Sequence, residues 1–354
     1  MTILFVTLSL SGGGAERVVS VLGSELSKHK DVNVHMLVFG KKANEYPLAK
    51  QVVRHQMEEE TYSNKIKRLL YIRKILKNVK PDFVIPFLNE PSMYTYLAKL
   101  GIKTKFIATV RNNPEYYVGK GYRGRIIKYI TEHADMCMLQ TEEQAAYFCW
   151  ESTDQYFVVP NPVKEEMFDS QFIYRQSVSK IVTCGRLNKQ KNHERLIRVF
   201  SELCIKNPSL ELLIYGEGEE KDNLLNLISQ LNLNDKVNLM GRTENVLKAL
   251  QESDIFVLSS DYEGMPNALM EALAVGMPCV STDCPTGPSS LIRNGKDGVL
   301  VRTDDEMKEA IARLICNREE RIRLGINAKS KMQKSYSAKA VSEQFLNFLY
   351  RDGK

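Results

Sequence analysis

Short apolar, β-branched runs alternate with helical segments along nearly all of the 354 residues, and this alternation restricts the fold more than any other feature. A run such as Ile3 to Leu8 is apolar at every position but Thr7, as expected of a strand when helices cover both faces of its sheet. The first half predicts strands at Ile3 to Leu8, Val34 to Phe39, Phe83 to Leu88, Phe106 to Val110 and Met136 to Leu139, with helices starting near Ala15, Lys65, Ser92, Tyr122 and Glu142. The last of these helices opens with Thr141-Glu-Glu-Gln144, a pattern that predicts a capping box. Asn161-Pro162 closes the set, and the polar, aperiodic stretch to about Ser179 reads as a linker. A second set follows, with strands at Ile181 to Cys184, Leu210 to Tyr215, Val237 to Met240, Ile255 to Leu258, Cys279 to Thr282 and Val299 to Val301. Helices from about His193, Glu219, Glu244, Asn267, Ser289 and Asp305 separate those strands, and helices near Glu319 and Ala338 finish the chain. The expected fold class is α/β, with two Rossmann-like domains facing across a cleft. Their expected bounds are residues 1–162 and 163–336, with a C-terminal helix in 337–354 packing back towards the first domain.

The length suits two domains, each with its own core. A hydrophobic fraction of 43% and a charged fraction of 26% are those of a folded globular chain. The seven cysteines have no metal-ligand or redox spacing, which predicts reduced, mostly buried thiols in a cytoplasmic protein. Met1-Thr-Ile-Leu-Phe reads as a first strand and not as a signal peptide. No apolar run approaches the roughly 20 residues of a membrane-spanning helix. The net charge of +6 lies wholly in the first half, where residues 1–160 hold 22 basic and 16 acidic side chains against 27 of each in 161–354. An anionic partner for the first half, other than nucleic acid, is one reading; a solvated surface is the other.

Three stretches carry chemistry. The first βα turn, Ser9-Leu-Ser-Gly-Gly-Gly-Ala-Glu-Arg17, brings Gly12, Gly13 and Gly14 to the start of a helix. There, backbone N–H groups can approach an anion, or the glycines simply permit a tight turn. In the second set, Gly185-Arg186-Leu-Asn-Lys-Gln-Lys191-Asn192 puts a guanidinium and an ammonium on one strand-to-helix loop, within reach of a diphosphate. The third and most specific stretch runs from Ser259 to Val280. Glu263 stands between a strand and a helix, where it can accept hydrogen bonds from sugar hydroxyls. Glu271, about two turns into the helix, can clamp the paired hydroxyls of a ribose.

Taken together, Gly-Arg-x4-Lys-Asn, Glu263-Gly-Met-Pro-x4-Glu271-Ala-x-Ala-x-Gly-x-Pro, and Gly287-Pro-Ser-Ser-Leu-Ile ahead of Gly295 and Gly298 resemble the retaining glycosyltransferases of family 4, which have the GT-B fold. Within that family the chain is similar to bacterial capsule and surface-polysaccharide enzymes. The resemblance is weak in the first half and strong from Gly185 to Val301. It implies that Arg186 and Lys191 hold the donor diphosphate and that Glu263 contacts the sugar. By the same resemblance, the backbone of Gly264, Met265, Pro266 and Asn267 lies near the sugar hydroxyls and distal phosphate, and Glu271 holds the ribose. Gly241 and Arg242 lie by the base, and Gly13 and Gly14 face the reacting phosphate. It further implies a UDP sugar as the expected donor, a hexose or N-acetylhexosamine as the group moved, and no cofactor. No Asp-x-Asp is present, in keeping with Arg and Lys in place of a divalent metal. Many relatives carry a His after the fourth strand; this chain has Arg111-Asn112-Asn-Pro. Arg111 cannot act as a base, and three roles stay open for it: binding an anionic acceptor, binding the donor sugar, or capping the strand end.

Two basic segments in the first half complete the expectations. Lys65 to Lys80 alternates lysines and arginines with Ile66, Leu69, Leu70, Ile72, Ile75, Leu76 and Val79, which are expected on one apolar side. Lys120, Arg123, Arg125 and Lys128 accompany Tyr122, Ile126, Ile127, Tyr129 and Ile130. Each reads as an ordinary amphipathic helix by itself. Jointly they suit an anionic membrane surface and a polyprenyl-diphosphate-linked glycan acceptor, hence a cytoplasmic protein peripheral to the inner face of the cell membrane. The competing readings are a nucleotide-sugar epimerase of the same architecture and an inactive binding subunit of a glycosyltransferase pair. A nicotinamide dehydrogenase is disfavoured by the missing Gly-x-Gly-x-x-Gly.

Overall fold

The computed structural model describes residues 1–150, 152–243 and 245–352. The chain forms two compact units: Met1–Pro162 together with the C-terminal helix Ala338–Asp352, and Val163–Ser337. In the first unit, β1 (Thr2–Thr7), β2 (Asn33–Val38), β3 (Val53–Gln56), β4 (Phe83–Pro86), β5 (Lys105–Thr109), β6 (Met136–Leu139) and β7 (Tyr156–Val158) make a parallel sheet. Its strand order is β3-β2-β1-β4-β5-β6-β7. In the second unit, β8 (Lys180–Cys184), β9 (Glu211–Tyr215), β10 (Val237–Gly241), β11 (Ile255–Leu258), β12 (Cys279–Thr282) and β13 (Val299–Val301) make another parallel sheet, ordered β10-β9-β8-β11-β12-β13. Both sheets reverse direction beside their first strand, between β1 and β4 and between β8 and β11. Loops at the carboxyl ends of those strands flank the crevice where open α/β sheets take ligands.

The continuous apolar runs divide their side chains between two cores. Ile3 and Phe5 pack with the helices Gly14–Leu26 and Ala338–Asp352, while Leu4 and Val6 face the helices Lys65–Val79 and Gly121–Glu132. Ile181 and Val182 separate in the same way in the second unit. Each aliphatic side chain so enclosed contributes roughly 1.5–3 kcal/mol. Helix starts follow their caps: Asn64, Asn192, Thr303 and Asn317 each accept from a backbone N–H in the first turn.

The structure departs from the sequence expectations at several places. Strands β3 and β7 were not expected. Both lie at sheet edges, and β3 reads Val-Arg-His-Gln, with no apolar periodicity to mark it. The segment at Glu142 is a 3₁₀ helix, Glu142–Tyr147, without the capping box. Gln144 does reach back, but its Oε1 accepts from Gln140 N at 2.7 Å, and Thr141 Oγ1 has no partner. The expected helix start at Glu244 lies outside the described residues; the helix there spans Val246–Gln251. The stretch after Pro162 is not a free linker, because Val163, Met167, Phe168 and Phe172 are buried in the second unit. Tyr174 Oη also donates to Gly276 O there at 2.7 Å.

The helix Lys65–Val79 does not keep its aliphatic residues on one side. Ile72, Ile75 and Leu76 are buried, whereas Ile66 is 71% and Leu70 59% exposed. Arg68 points inward instead, ion-paired with Glu90 and set against the rings of Tyr62 and Tyr94. A charged group that reads as solvent-facing therefore takes a core position because a carboxylate and aromatic faces receive it there.

Candidate active site

In the second unit, the strand β8 ends at Cys184, and Gly185–Lys191 turns into the helix His193–Lys206. The turn is tight because two backbones meet behind it. A Cβ at Gly216 would strike the Gly185 carbonyl, and one at Gly218 the Leu187 carbonyl. The Lys191 stem packs over Gly185, and its ammonium reaches across the switch point to Glu263 Oε1, at 2.5 Å. Asn192 adopts φ 44° and caps the helix through Arg195 N, which fixes the direction in which Lys191 leaves the loop.

Glu263 is 5% exposed, on the loop between β11 and the helix Asn267–Val275. Ser260 Oγ donates to Glu263 Oε1 at 2.6 Å, and Gln190 Nε2 approaches Oε2 at 3.5 Å. Its backbone carbonyl accepts from Thr286 Oγ1, and its N–H donates to Pro285 O at 3.4 Å. The loop is thus tied on both sides. Gly287, at φ 86°, permits the approach, since a Cβ there would collide with Gly264 O and Pro266. The Cys284 thiol beside this cluster is pushed up to about 12 by burial and by the Glu263 carboxylate, so it stays neutral. Burial, then the nearby Lys191, draw His193 down to about 4 against opposing hydrogen bonds to the Arg186 and Gly185 backbone, so its imidazole is also neutral.

Arg186 is exposed and its side chain makes no ion pair or hydrogen bond among the described residues. The two loops therefore present two exposed cations without side-chain partners among the described residues, Arg186 and Lys189, one cation shared with a carboxylate, and a carboxylate held by a hydroxyl and an amide. Glu271 lies about one turn into the helix Asn267–Val275, not the two expected, because the helix starts only at Asn267; it is on the buried face, only 6% exposed and not a casual surface carboxylate. Gly264, Met265 and Pro266 are buried and Asn267 opens that helix. Gly241, at φ 71°, ends β10 and accepts from Gly216 N at 2.9 Å, and Arg242 follows it, exposed.

In the first unit, Gly13 and Gly14 begin the helix Gly14–Leu26, as expected, and Gly12 takes φ 90°. The carboxylate of Glu16 folds over Gly13, so the loop carries its own anion at the helix N-terminus. Arg111 and Asn112 follow β5. Arg111 Nη1 lies 3.5 Å from Asn161 Oδ1, and Asn112 O accepts from Gln144 Nε2 at 3.0 Å. The sequence reading did not single out Gln190, Ser260, Thr286, Gln140 or Asn161. None belongs to a spacing pattern; Gln190, between two lysines, was the one with a positional signal.

A family model described as "Glycosyl transferases group 1" matches residues 164–331. An uncharacterized glycosyltransferase of Methanocaldococcus jannaschii is 35% identical over 64% of this chain and 62% of its own length. A Campylobacter jejuni protein named N-acetylgalactosamine-N,N'-diacetylbacillosaminyl-diphospho-undecaprenol 4-alpha-N-acetylgalactosaminyltransferase is 30% identical over 84% of this chain and 85% of its own. Among solved structures, a mutant of S. aureus TarM in complex with fondaparinux, alpha-GlcNAc-glycerol and UDP superposes with a TM-score of 0.82 at 16% identity. That match covers 98% of this chain and 99% of that one. By this relationship and by its two Rossmann-like units, the chain belongs to the group 1 glycosyl transferases, the family-4-like glycosyltransferases of the GT-B fold.

Proposed function

We propose that the chain is a retaining, metal-independent glycosyltransferase of bacterial surface polysaccharide synthesis. It moves a hexose or N-acetylhexosamine from a UDP sugar to a polyprenyl-diphosphate-linked glycan. The observation that carries this reading is the free Arg186 guanidinium beside the Lys191–Glu263 pair, at the carboxyl edge where the second sheet reverses direction. In the reaction, the acceptor hydroxyl oxygen bonds to the anomeric carbon on the face that the diphosphate leaves. The bond from that carbon to the distal phosphate oxygen breaks, its electron pair goes to the diphosphate, and the hydroxyl proton passes to a departing phosphate oxygen. No protein nucleophile is needed. What remains for the protein is to stabilise the departing charge and to hold the two partners in line.

Arg186 and Lys191 stabilise the leaving diphosphate. Glu263, oriented by Lys191 and Ser260, accepts from sugar hydroxyls, and Gly264 to Asn267 line the sugar. Glu271 takes the ribose, Gly241 and Arg242 the base, and Gly13 and Gly14 the reacting phosphate, where the Glu16 carboxylate has to move aside. A relative and a structural neighbour support the ligand classes: the Campylobacter relative is named for a diphospho-undecaprenol substrate, and TarM was solved with UDP.

A peripheral position on the cytoplasmic membrane face fits the first unit. The helices Lys65–Val79, Asn89–Ala98 and Gly121–Glu132 lie side by side in that order. Their outer surface leaves Ile66, Leu70, Leu97, Tyr122 and Tyr129 exposed among Lys67, Lys74, Arg123 and Arg125. No helix among the described residues is long and apolar enough to cross a membrane. The test of the reaction is Arg186→Ala, assayed with UDP sugars and a polyprenyl-diphosphate-linked glycan. Turnover is expected to fall at least about a hundredfold with thermal stability unchanged; near-normal transfer by the folded variant removes the assignment.

A further inference from the structure

At the carboxyl end of β5 the first unit holds a positive charge that it does not neutralise. The Arg111 guanidinium carbon lies 4.8 Å from the centre of the Phe87 ring, just past the end of β4. Its Nε and Nη2 are closed to solvent and have no acceptor. Nη1 has only Asn161 Oδ1 at 3.5 Å, an oxygen that already takes a 2.8 Å bond from Gln140 Nε2. No carboxylate pairs with Arg111 among the described residues. Arg68, the other inward-pointing arginine of this unit, shows the contrast, with Glu90, a backbone carbonyl and two aromatic faces receiving its charge. Burial draws Arg111 down to about 10, which leaves it protonated at neutral pH.

Two further features stand at the same edge. Leu88, directly after Phe87, has φ 73° and ψ 164°, a conformation L side chains rarely adopt. Thr141 Oγ1, next to Gln140, is buried without a partner. An uncompensated buried cation, an orphan hydroxyl and a strained backbone each destabilise a fold, and they persist together where a ligand uses them. A guanidinium recognises oxyanions with paired N–H groups. The donor's diphosphate already has Arg186 and Lys191 in the other unit, and the half that contains Arg111 is the one with the basic excess.

We propose that Arg111, whose closed Nε and Nη2 are uncovered by a side-chain movement on binding, takes a phosphoryl oxygen of a diphosphate-linked acceptor and so selects anionic acceptors over neutral glycans. This rests on the acceptor class proposed above. The experiment uses the full chain with farnesyl diphosphate, farnesol and UDP as probes, comparing wild type, Arg111→Met and Arg111→Lys by calorimetry and thermal unfolding. Expected are affinity for farnesyl diphosphate at least about tenfold weaker in Arg111→Met, partial recovery in Arg111→Lys and UDP affinity unchanged. Ligand-free Arg111→Met should melt at or above the wild-type temperature, because an unpaired charge has gone. A lower melting temperature makes Arg111 a structural residue and overturns the proposal, as does a loss of UDP affinity in place of farnesyl diphosphate affinity, which assigns the cation to the donor. Equal farnesyl diphosphate binding by wild type and Arg111→Met overturns this inference alone. Wild type indifferent to the diphosphate or matching it with farnesol overturns the acceptor class along with it.

Discussion

Arg186 and Lys191 look equivalent in sequence, two cations on one loop, but their surroundings divide them. The Lys191 side chain is 17% and the Glu263 side chain 6% exposed, so the pair is held away from bulk water. Deleting one partner of such a pair leaves an uncompensated charge, and Lys191→Ala is expected to lower stability by about 3 kcal/mol as well as lowering turnover. Chemical denaturation alongside kinetics separates the two losses; unchanged stability would mean that Glu263 finds another cation. Arg186, exposed and unpartnered, has no such structural part, so Arg186→Ala reads the chemistry alone. The same two cations lead to a prediction about metal. If they supply the charge that a divalent ion supplies elsewhere, transfer survives exhaustive chelation, and loss with EDTA restored by Mg²⁺ or Mn²⁺ would show that the leaving group is handled otherwise.

Among the elements, the loop before the helix Asn267–Val275 depends on Gly287. Its φ of 86° and the carbonyl of Gly264 behind it leave no room for a side chain. Gly287→Ala is expected to cost more than ~1 kcal/mol and to displace Glu263 from Lys191, measured as a lower melting temperature with weaker UDP-sugar binding. The edge of the first sheet carries a different sensitivity. His35 on β2 and His55 on β3 meet at 2.9 Å, Nδ1 to Nε2, a contact that requires at least one unprotonated ring. Burial, then the facing His55, lowers the pKa of His35, and burial lowers that of His55. Below the ordinary value of 6.5 the unfolded chain therefore binds protons that the folded chain does not. The pair's contribution is whole above that pH and declines as pH falls through the depressed folded values. Denaturation between pH 8 and pH 5 should show this loss, and His55→Gln should flatten it; a slope identical to wild type would place the titration elsewhere.

For the whole molecule, the question is what the outer helical surface of the first unit meets. Exposed aliphatic and aromatic side chains set among lysines and arginines bind a bilayer partly by insertion and partly by charge. Co-sedimentation with anionic vesicles should weaken as salt rises, should be absent with neutral vesicles, and should diminish when Lys120, Arg123, Arg125 and Lys128 are changed to Ser. Indifference of both proteins to lipid charge would favour an acceptor free in solution.

The strands of both sheets other than β3 and β7, the two-unit division and the loops that flank the switch points were legible in the residues because they follow from local pattern. A run such as Ile255 to Leu258 is apolar at each position only if both faces are covered, and Asn267 to Val275 follows a loop rich in turn residues. The spacing of Glu263 and Glu271 is local for the same reason, since eight residues of loop and helix sequence set it. Pattern failed where pairing partners are distant in the chain. Edge strand β3 is polar and depends on β2 for its existence; Arg68 is inside because Glu90 and Tyr94 arrive from another helix. The pairing of Lys191 with Glu263, 72 positions apart, and the absence of a carboxylate beside Arg111 among the described residues, are likewise decided by which strands lie side by side. Sequence determines what each segment prefers over a few residues, whereas the charge that each site residue feels depends on neighbours that only the folded chain brings within reach.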